Sequence, residues 1–263
     1  MRSICLMYHD VYRSEPLPEV PRSAAMYHVS EATFLEHLGA VEGSGLEVRD
    51  ARSFAASHKP TAVLTFDDGW LGSLEIAVPH LAERGFGATF FVTKDFVGRP
   101  GFADPGTLRR ASESGMELGV HGTTHRMLSA CSPMEIRQEL ADCKAYLEDI
   151  TGHAVTSASL PGGDWTRHIA DIAKDVGLSL LFTSRPGLNR AGRSPLALRR
   201  IAIREHTEAH DVERFCRLDV GRERARDLIF RLPRRVLGMR RSARWRRRLL
   251  GEKDDAPGEL FKV

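Results

Sequence analysis

The chain has 263 residues, 42% of them hydrophobic, with a formal net charge of +3. That composition supports one substantial core and leaves no need for a second. After Arg2 only Ser3 to Tyr8 precede His9 and Asp10, a run too short for a signal peptide or a spanning helix, and Cys5, Cys131, Cys143 and Cys216 show no C-x-x-C pairing, so the expectation is a cytoplasmic protein in a reducing compartment.

In chain order, a first strand is expected near Ile4 to Tyr8, followed directly by His9 and Asp10. Ser30 then caps a helix carrying Phe34, Leu38 and Val41, which ends at Gly43 to Gly45. The second long strand, Ala62 to Phe66, delivers Asp67 and Asp68 into a turn. Successive strand residues point to opposite faces, so the chain must break at this pair, and Gly69 permits the break. Two carboxylates this close repel each other unless a cation or a shared proton compensates. A plain turn capping the next helix is the competing reading. That helix is marked by Leu74, Val78 and Leu81 and ends at Gly85.

Strands near Ala88 to Val92 and Glu117 to Val120 follow, the latter running into His121-Gly122-Thr123-Thr124-His125. Two imidazoles four apart share one face of a helical turn and suit a common metal, although surface histidines often fall at this spacing. Ser132-Pro133-Met134-Glu135 combines an N-cap, a proline at the first helical position and a capping-box glutamate, and the helix should end near Thr151-Gly152. A strand at Ser157 to Leu160 leads into Pro161-Gly162-Gly163-Asp164-Trp165 and a helix capped by Thr166; the two glycines leave backbone N–H groups accessible to a ligand, or Trp165 simply packs over a tight turn. Strands at Ser179 to Phe182 and Leu198 to Ile203 complete an alternation that writes a parallel sheet with covering helices. All three polar segments fall at strand C-termini.

In content and order these segments resemble the polysaccharide deacetylases of the NodB-homology type, carbohydrate esterase family four, from the first residues to about Leu218. The resemblance implies an α/β fold: an irregular, incomplete (β/α) barrel of about seven strands. Matching T-F-D-D-G makes Asp67 the general base and Asp68 a metal ligand. His121 and His125 complete a site for a divalent ion, foremost Zn2+, with Co2+, Ni2+ and Fe2+ open. Pro161, Gly162 and Trp165 would face the substrate and its oxyanion. The third family motif falls on Ser159 to Gly163, and the arginine that steadies the base in the family is absent there. The late Leu-x-x-His motif has no clean counterpart in Arg200 to Thr207, leaving His206 and His9 as rival general acids. Leu6 to Asp10 resembles the subgroup acting on exported poly-N-acetylglucosamine-like polymers.

The implied activity is hydrolysis of N-acetyl groups on a sugar within a polysaccharide or its lipid-linked precursor. A hydrolase of another C–N bond or of an acetyl ester, and a catalytically weak carbohydrate-binding or membrane-associated protein, are the alternatives.

Beyond Gly221 the composition changes, giving an expected division into a barrel at 1–221 and a basic amphipathic helical tail at 222–263. Residues 222–250 hold twelve arginines against Glu223 and Asp227, a formal +10, so the remainder of the chain carries −7 against the total of +3. Leu228, Ile229, Leu232, Val236, Trp245 and Leu249 interleave with these arginines, around Pro233. Contact with an anionic membrane is one reading and a helix packed on the barrel the other. Nucleic acid is disfavoured, since no recognition motif accompanies the arginines.

Overall fold

The structure, a computed structural model, describes residues 2–15, 20, 22–54, 57–190 and 194–229. Its strands are β1 (Arg2–Tyr8), β2 (Val11–Tyr12), β3 (Val29–Ser30), β4 (Glu47–Arg49), β5 (Thr61–Phe66), β6 (Ala88–Val92), β7 (Glu117–Val120), β8 (Ser157–Ser159), β9 (Leu180–Phe182), β10 (Asn189–Arg190) and β11 (Ile201–Ala202). The helices are α1 (Arg22–Ala25), α2 (Glu31–Glu42), α3 (Ala51–Phe54), α4 (Val78–Glu83), α5 (Pro105–Glu113), α6 (Pro133–Thr151), α7 (Arg167–Asp175) and α8 (Ala209–Cys216). The main sheet runs β10-β1-β5-β6-β7-β8-β9, with β11 on β1 and β4 on β5. Every pairing in it is parallel except β1 with β10. The seven strands expected from the sequence are all present.

Every residue of β5 is buried, because both faces of the sheet are covered. Its outward set, Ala62, Leu64 and Phe66, joins the helix-facing core, where Phe66 stacks on Phe90 at 4.5 Å and on Tyr8 at 5.3 Å. Phe34 of α2 meets Tyr8 edge-on at 5.5 Å, which docks that helix. The inward set is different in kind. Cys5, Val63, Phe91, Leu180, Phe182 and Leu198 belong to a small second cluster, and polar side chains stand among them: Thr65, Thr89, Glu117, Ser157 and Ser159. At the end where β1, β4, β5 and β7 begin, Glu117 accepts hydrogen bonds from Ser157 Oγ at 2.8 Å, Thr89 Oγ1 at 2.9 Å and Arg52 N at 2.8 Å.

The segment 198–202 touches both ends of the curled sheet. Leu198 bridges to Phe182 of β9, while Ile201 and Ala202 pair with Leu6 and Met7 of β1. Only Ile201–Ala202 of the expected strand Leu198 to Ile203 has regular strand geometry.

Helix ends follow their capping chemistry. Ser30 Oγ accepts the Thr33 N–H, and the Ser132–Glu135 capping box closes in both directions, with Gly152 in the left-handed region (φ 69°) ending α6. The helix after the aspartates differs from expectation by passing through a π-helical turn over Ser73–Ala77 before α4. Pro79, inside α4, lacks the N–H that would bond to Glu75 O in an α-helix, which favours the wider turn.

Residues 221–229 are helical and cross the expected boundary at 221/222. Glu223 pairs with Arg214 of α8 at 2.7 Å, so this first part is tied to the barrel. The expected tail helix at 230–263, including Pro233 and Trp245, lies outside the described residues. Among the described residues, no helix is long and apolar enough to cross a membrane.

Candidate metal and acyl-transfer site

Asp67 continues the inward phase of β5, and the chain then reverses at Asp68 (φ 78°) and Gly69 (φ 85°). Aspartate tolerates the left-handed region better than most residues, so the break begins one residue before the glycine. The reversal lets Asp68 face the same side as Asp67. Trp70 Nε1 donates to Asp68 Oδ2 at 3.1 Å, which fixes the carboxylate plane and leaves Oδ1 pointing at the histidines.

His121 Nε2 and His125 Nε2 each lie 3.2 Å from Asp68 Oδ1. These three atoms lie within 4.8 Å of one another, and this is the one such cluster among the described residues. His121 Nδ1 donates to Ser159 O at 2.8 Å, since a carbonyl can only accept, and a neutral His121 therefore presents a lone pair at Nε2 to a carboxylate oxygen. Asp68 Oδ1 is buried and accepts no hydrogen bond. Acceptors face acceptors. Two donors on one tetrahedral zinc stand about 3.4 Å apart from bond lengths of about 2.1 Å, so the spacing suits a divalent ion among the three. Without one, the balance must come from protons: burial lowers the His121 pKa, but Asp67 and Asp68 overcome it and raise it, while burial raises Asp68 and its histidine contacts bring it well below the ordinary value.

Asp67 does not join this triangle. It is held by Arg200, which donates from Nη1 to Oδ1 and from Nη2 to Oδ2, both at 2.7 Å. Nη1 also reaches Thr65 Oγ1 at 3.1 Å, Nη2 reaches Ser159 Oγ at 2.6 Å and Nε reaches Thr183 O at 3.2 Å, so all five N–H groups have acceptors. Ser159 Oγ itself donates a hydrogen bond to Asp67 Oδ2 at 2.9 Å. Burial raises the Asp67 pKa, and the Arg200 charge, aided by His121, reverses this and holds it below the ordinary value. The expectation that no arginine steadies Asp67 is thus overturned. Position 159 holds serine, and the guanidinium arrives from the sheet-closing segment 198–202, which sequence order hides. The signal was the inward phase of Leu198, Arg200 and Ala202, a fully buried arginine in a strand pattern.

His9 lies at the end of β1, stacked on Tyr27 at 4.7 Å, with Nδ1 buried and without a hydrogen-bond partner. Burial lowers its pKa, opposed by the charges of Asp68 and Asp67. His206 is not brought to the site. Its side chain is 87% exposed, and its ring pairs with Glu205 at 2.9 Å. Arg204, two residues earlier, faces the Tyr27 ring instead.

The third loop packs on the second, with Pro161 Cγ 3.8 Å from where a Cβ on Gly122 would stand. Gly163 N donates to Leu160 O at 2.7 Å, so the N–H expected to be accessible there is spent inside the turn. Gly162 (φ 63°) lies under Met127, whose Sδ would be 2.7 Å from an added Cβ. Trp165 donates from Nε1 to Leu196 O and carries Arg185 over its ring at 5.6 Å, so its packing role is the one the structure records.

The family model for polysaccharide deacetylase matches residues 55–181, which include Asp67, Asp68, His121 and His125 but neither His9 nor Arg200. YxkH of Bacillus subtilis is 23% identical over 200 residues, 75% of this chain and 70% of that one. A chitooligosaccharide deacetylase of Bradyrhizobium is 29% identical over 147 residues, 51% of this chain and 64% of the relative. Among solved structures, Streptococcus pyogenes deacetylase PplD, in complex with acetate, superposes with a TM-score of 0.71 at 22% identity over 81% of this chain and 96% of that one, a likeness of fold. The curled sheet and the three loops at its strand ends agree with the matched segment: residues 55–181 match the polysaccharide deacetylase family, and the fold around them is like that of PplD.

Proposed function

We propose that this protein is a metal-dependent hydrolase that removes N-acetyl groups from an N-acetylated sugar in a polysaccharide or its lipid-linked precursor. The observation that carries the proposal is the unsatisfied Asp68 Oδ1 facing two imidazole Nε2 atoms at 3.2 Å, beside a carboxylate that Arg200 holds in one orientation. The chitooligosaccharide named for the Bradyrhizobium relative points to the same class of acetylated amino sugar.

Asp68, His121 and His125 would hold the ion; when bound, it would polarise the acetyl carbonyl and acidify water towards a pKa of about 7. Asp67 is the residue assigned to accept the proton of the attacking water. Its pair with Arg200 fixes its direction at some cost in basicity, so orientation is its main contribution. A backbone N–H near Gly162 is the assigned donor to the developing oxyanion. The departing sugar amine needs a proton, and we assign its supply to His9 rather than to the exposed His206. The pKa of His9 is depressed, so its imidazolium is a good acid once formed. The acetyl-ester alternative loses one of its supports, because an arginine does steady Asp67. Peripheral contact with an anionic membrane through 222–250 belongs to the same proposal, on composition alone.

The test is acetate release by metal-reconstituted protein from a panel of N-acetylated oligosaccharides and lipid-linked sugars, with mass detection of each product, beside Asp68→Asn and His121→Ala. Turnover with one metal per chain, lost with the metal in both variants, supports the proposal; stoichiometric metal in both variants sinks the ligand set.

A further inference from the structure

The loop 122–124 between the two histidines is held from both sides. Lys94 N donates to Gly122 O at 3.1 Å and Asp95 N to Thr123 O at 2.9 Å, which secures its carbonyls on the β6 side. Its N–H groups go to a single carboxylate on α6. Thr123 N and Thr124 N both donate to Glu139 Oε2, at 2.8 and 2.9 Å, and the Thr124 hydroxyl donates to Oε1. The Thr123 hydroxyl adds a bond to the Glu139 carbonyl at 3.2 Å.

Glu139 is only 6% exposed, beside the core residues Leu140 and Cys143. A carboxylate buried in mid-helix is costly unless its oxygens are satisfied, and here every recorded side-chain partner belongs to that loop. The loop also needs holding. Gly122 takes φ 85° and His125 takes φ 61°, a left-handed conformation that a histidine adopts only at a steric cost. The fit is close on the loop side as well, since a Cβ at Gly122 would stand 3.1 Å from Glu139 Oε2.

The geometry points to Glu139 as a positioning residue of the Asp68–His121–His125 cluster, fixing the loop so that both Nε2 atoms face Asp68 before an ion arrives. This rests on the metal reading proposed above. Glu139 touches none of the three donor atoms and acts through the backbone of residues 123 and 124. Glutamine at 139 can reproduce the pattern, its oxygen accepting the two N–H groups and its amide donating to the Thr124 hydroxyl. Aspartate keeps the charge but is one methylene too short.

The test uses full-length protein stripped of metal and titrated with Co2+, reading the affinity, the visible absorption of the cobalt protein and the melting temperature of the metal-free form. Glu139→Asp and Glu139→Ala are expected to lose about 10–100-fold in affinity and to change the cobalt spectrum, as outer partners of metal ligands do. Glu139→Gln should recover most of both, while metal-free Glu139→Asp melts close to the parent. If Glu139→Asp and Glu139→Ala bind cobalt as the parent does, or if their losses only follow a fall in metal-free melting temperature, Glu139 does not position the site. A parent protein that binds no cobalt overturns the metal reading itself, and the inference with it.

Discussion

Arg200 and Asp67 meet across 133 positions of sequence in a two-bonded fork, both bonds 2.7 Å long and both side chains buried. A planar guanidinium fixes a carboxylate in direction as well as charge, which an ammonium cannot do. Arg200→Lys should therefore retain the ion pair and lose the geometry, lowering kcat by about 10–100-fold while bound metal stays stoichiometric. Arg200→Ala strands a buried carboxylate and should cost about 3–5 kcal/mol of stability. Denaturant titration and steady-state kinetics read the two effects separately, and a lysine variant with parental kcat would remove the orienting role.

His9 and His206 separate cleanly in the structure, one half-buried with its Nδ1 enclosed near the aspartates and one exposed on a loop. If His9 protonates the departing amine, His9→Ala should lower turnover of an N-acetyl substrate by about 10²–10⁴-fold. An O-acetyl substrate should suffer less, because an alkoxide leaves with weaker assistance than an amine. His206→Ala should leave both rates unchanged. Equal losses on amide and ester in His9→Ala would argue for a positional role instead.

The matched segment was legible because each of its site residues follows an apolar strand closely: Asp67 after Phe66, His121 after Val120, Pro161 after Leu160. Local order carries that information. Arg200 was not legible, since its partner is set by how the sheet curls until the segment 198–202 lies against both β9 and β1. Glu139 was hidden for a related reason. In the α6 sequence it reads as one more charged helix residue, and only the approach of the 122–124 loop turns that position inward. The π-helical turn before α4 likewise depends on Pro79, whose effect on register exceeds what apolar periodicity shows.

Asp10 gives a stability signal that pH should reveal. It is buried at the end of β1, where Oδ1 accepts the Ser73 N–H at 2.9 Å, and burial, with a smaller push from Asp68, raises its pKa to about 7. A raised carboxyl favours the folded state while protonated, so its contribution is fully present below the unfolded value of about 3.9 and is lost as pH rises through about 7. His28, 3.7 Å away, has the opposite slope: burial lowers its pKa to about 4, so folding gains as pH rises from about 4 to about 6.5. Asp10→Asn keeps an oxygen for Ser73 and removes only the first slope. Its melting temperature relative to the parent should improve steadily from pH 5 to pH 8, and a difference constant over that window would show that Asp10 does not titrate there.

The basic segment makes the last prediction, and the structure moves the place to cut. Glu223 is tied to Arg214 at 2.7 Å, and residues 221–229 are helical, so truncation after Gly221 would break a contact of the barrel along with the tail. A chain ending at residue 229 keeps that ion pair and removes nine of the twelve arginines in 222–250. Each arginine near an anionic bilayer contributes about 1 kcal/mol, screened within a Debye length of about 8–10 Å at ordinary salt. Full-length protein should therefore sediment with anionic vesicles more than with neutral ones, and less in high salt. The chain ending at 229 should stay with the soluble fraction while hydrolysing a small soluble substrate at the parental rate. Vesicle binding equal in the two chains would place the membrane contact, if any, on the barrel; no binding by the full-length chain at low salt would remove the membrane from the proposal.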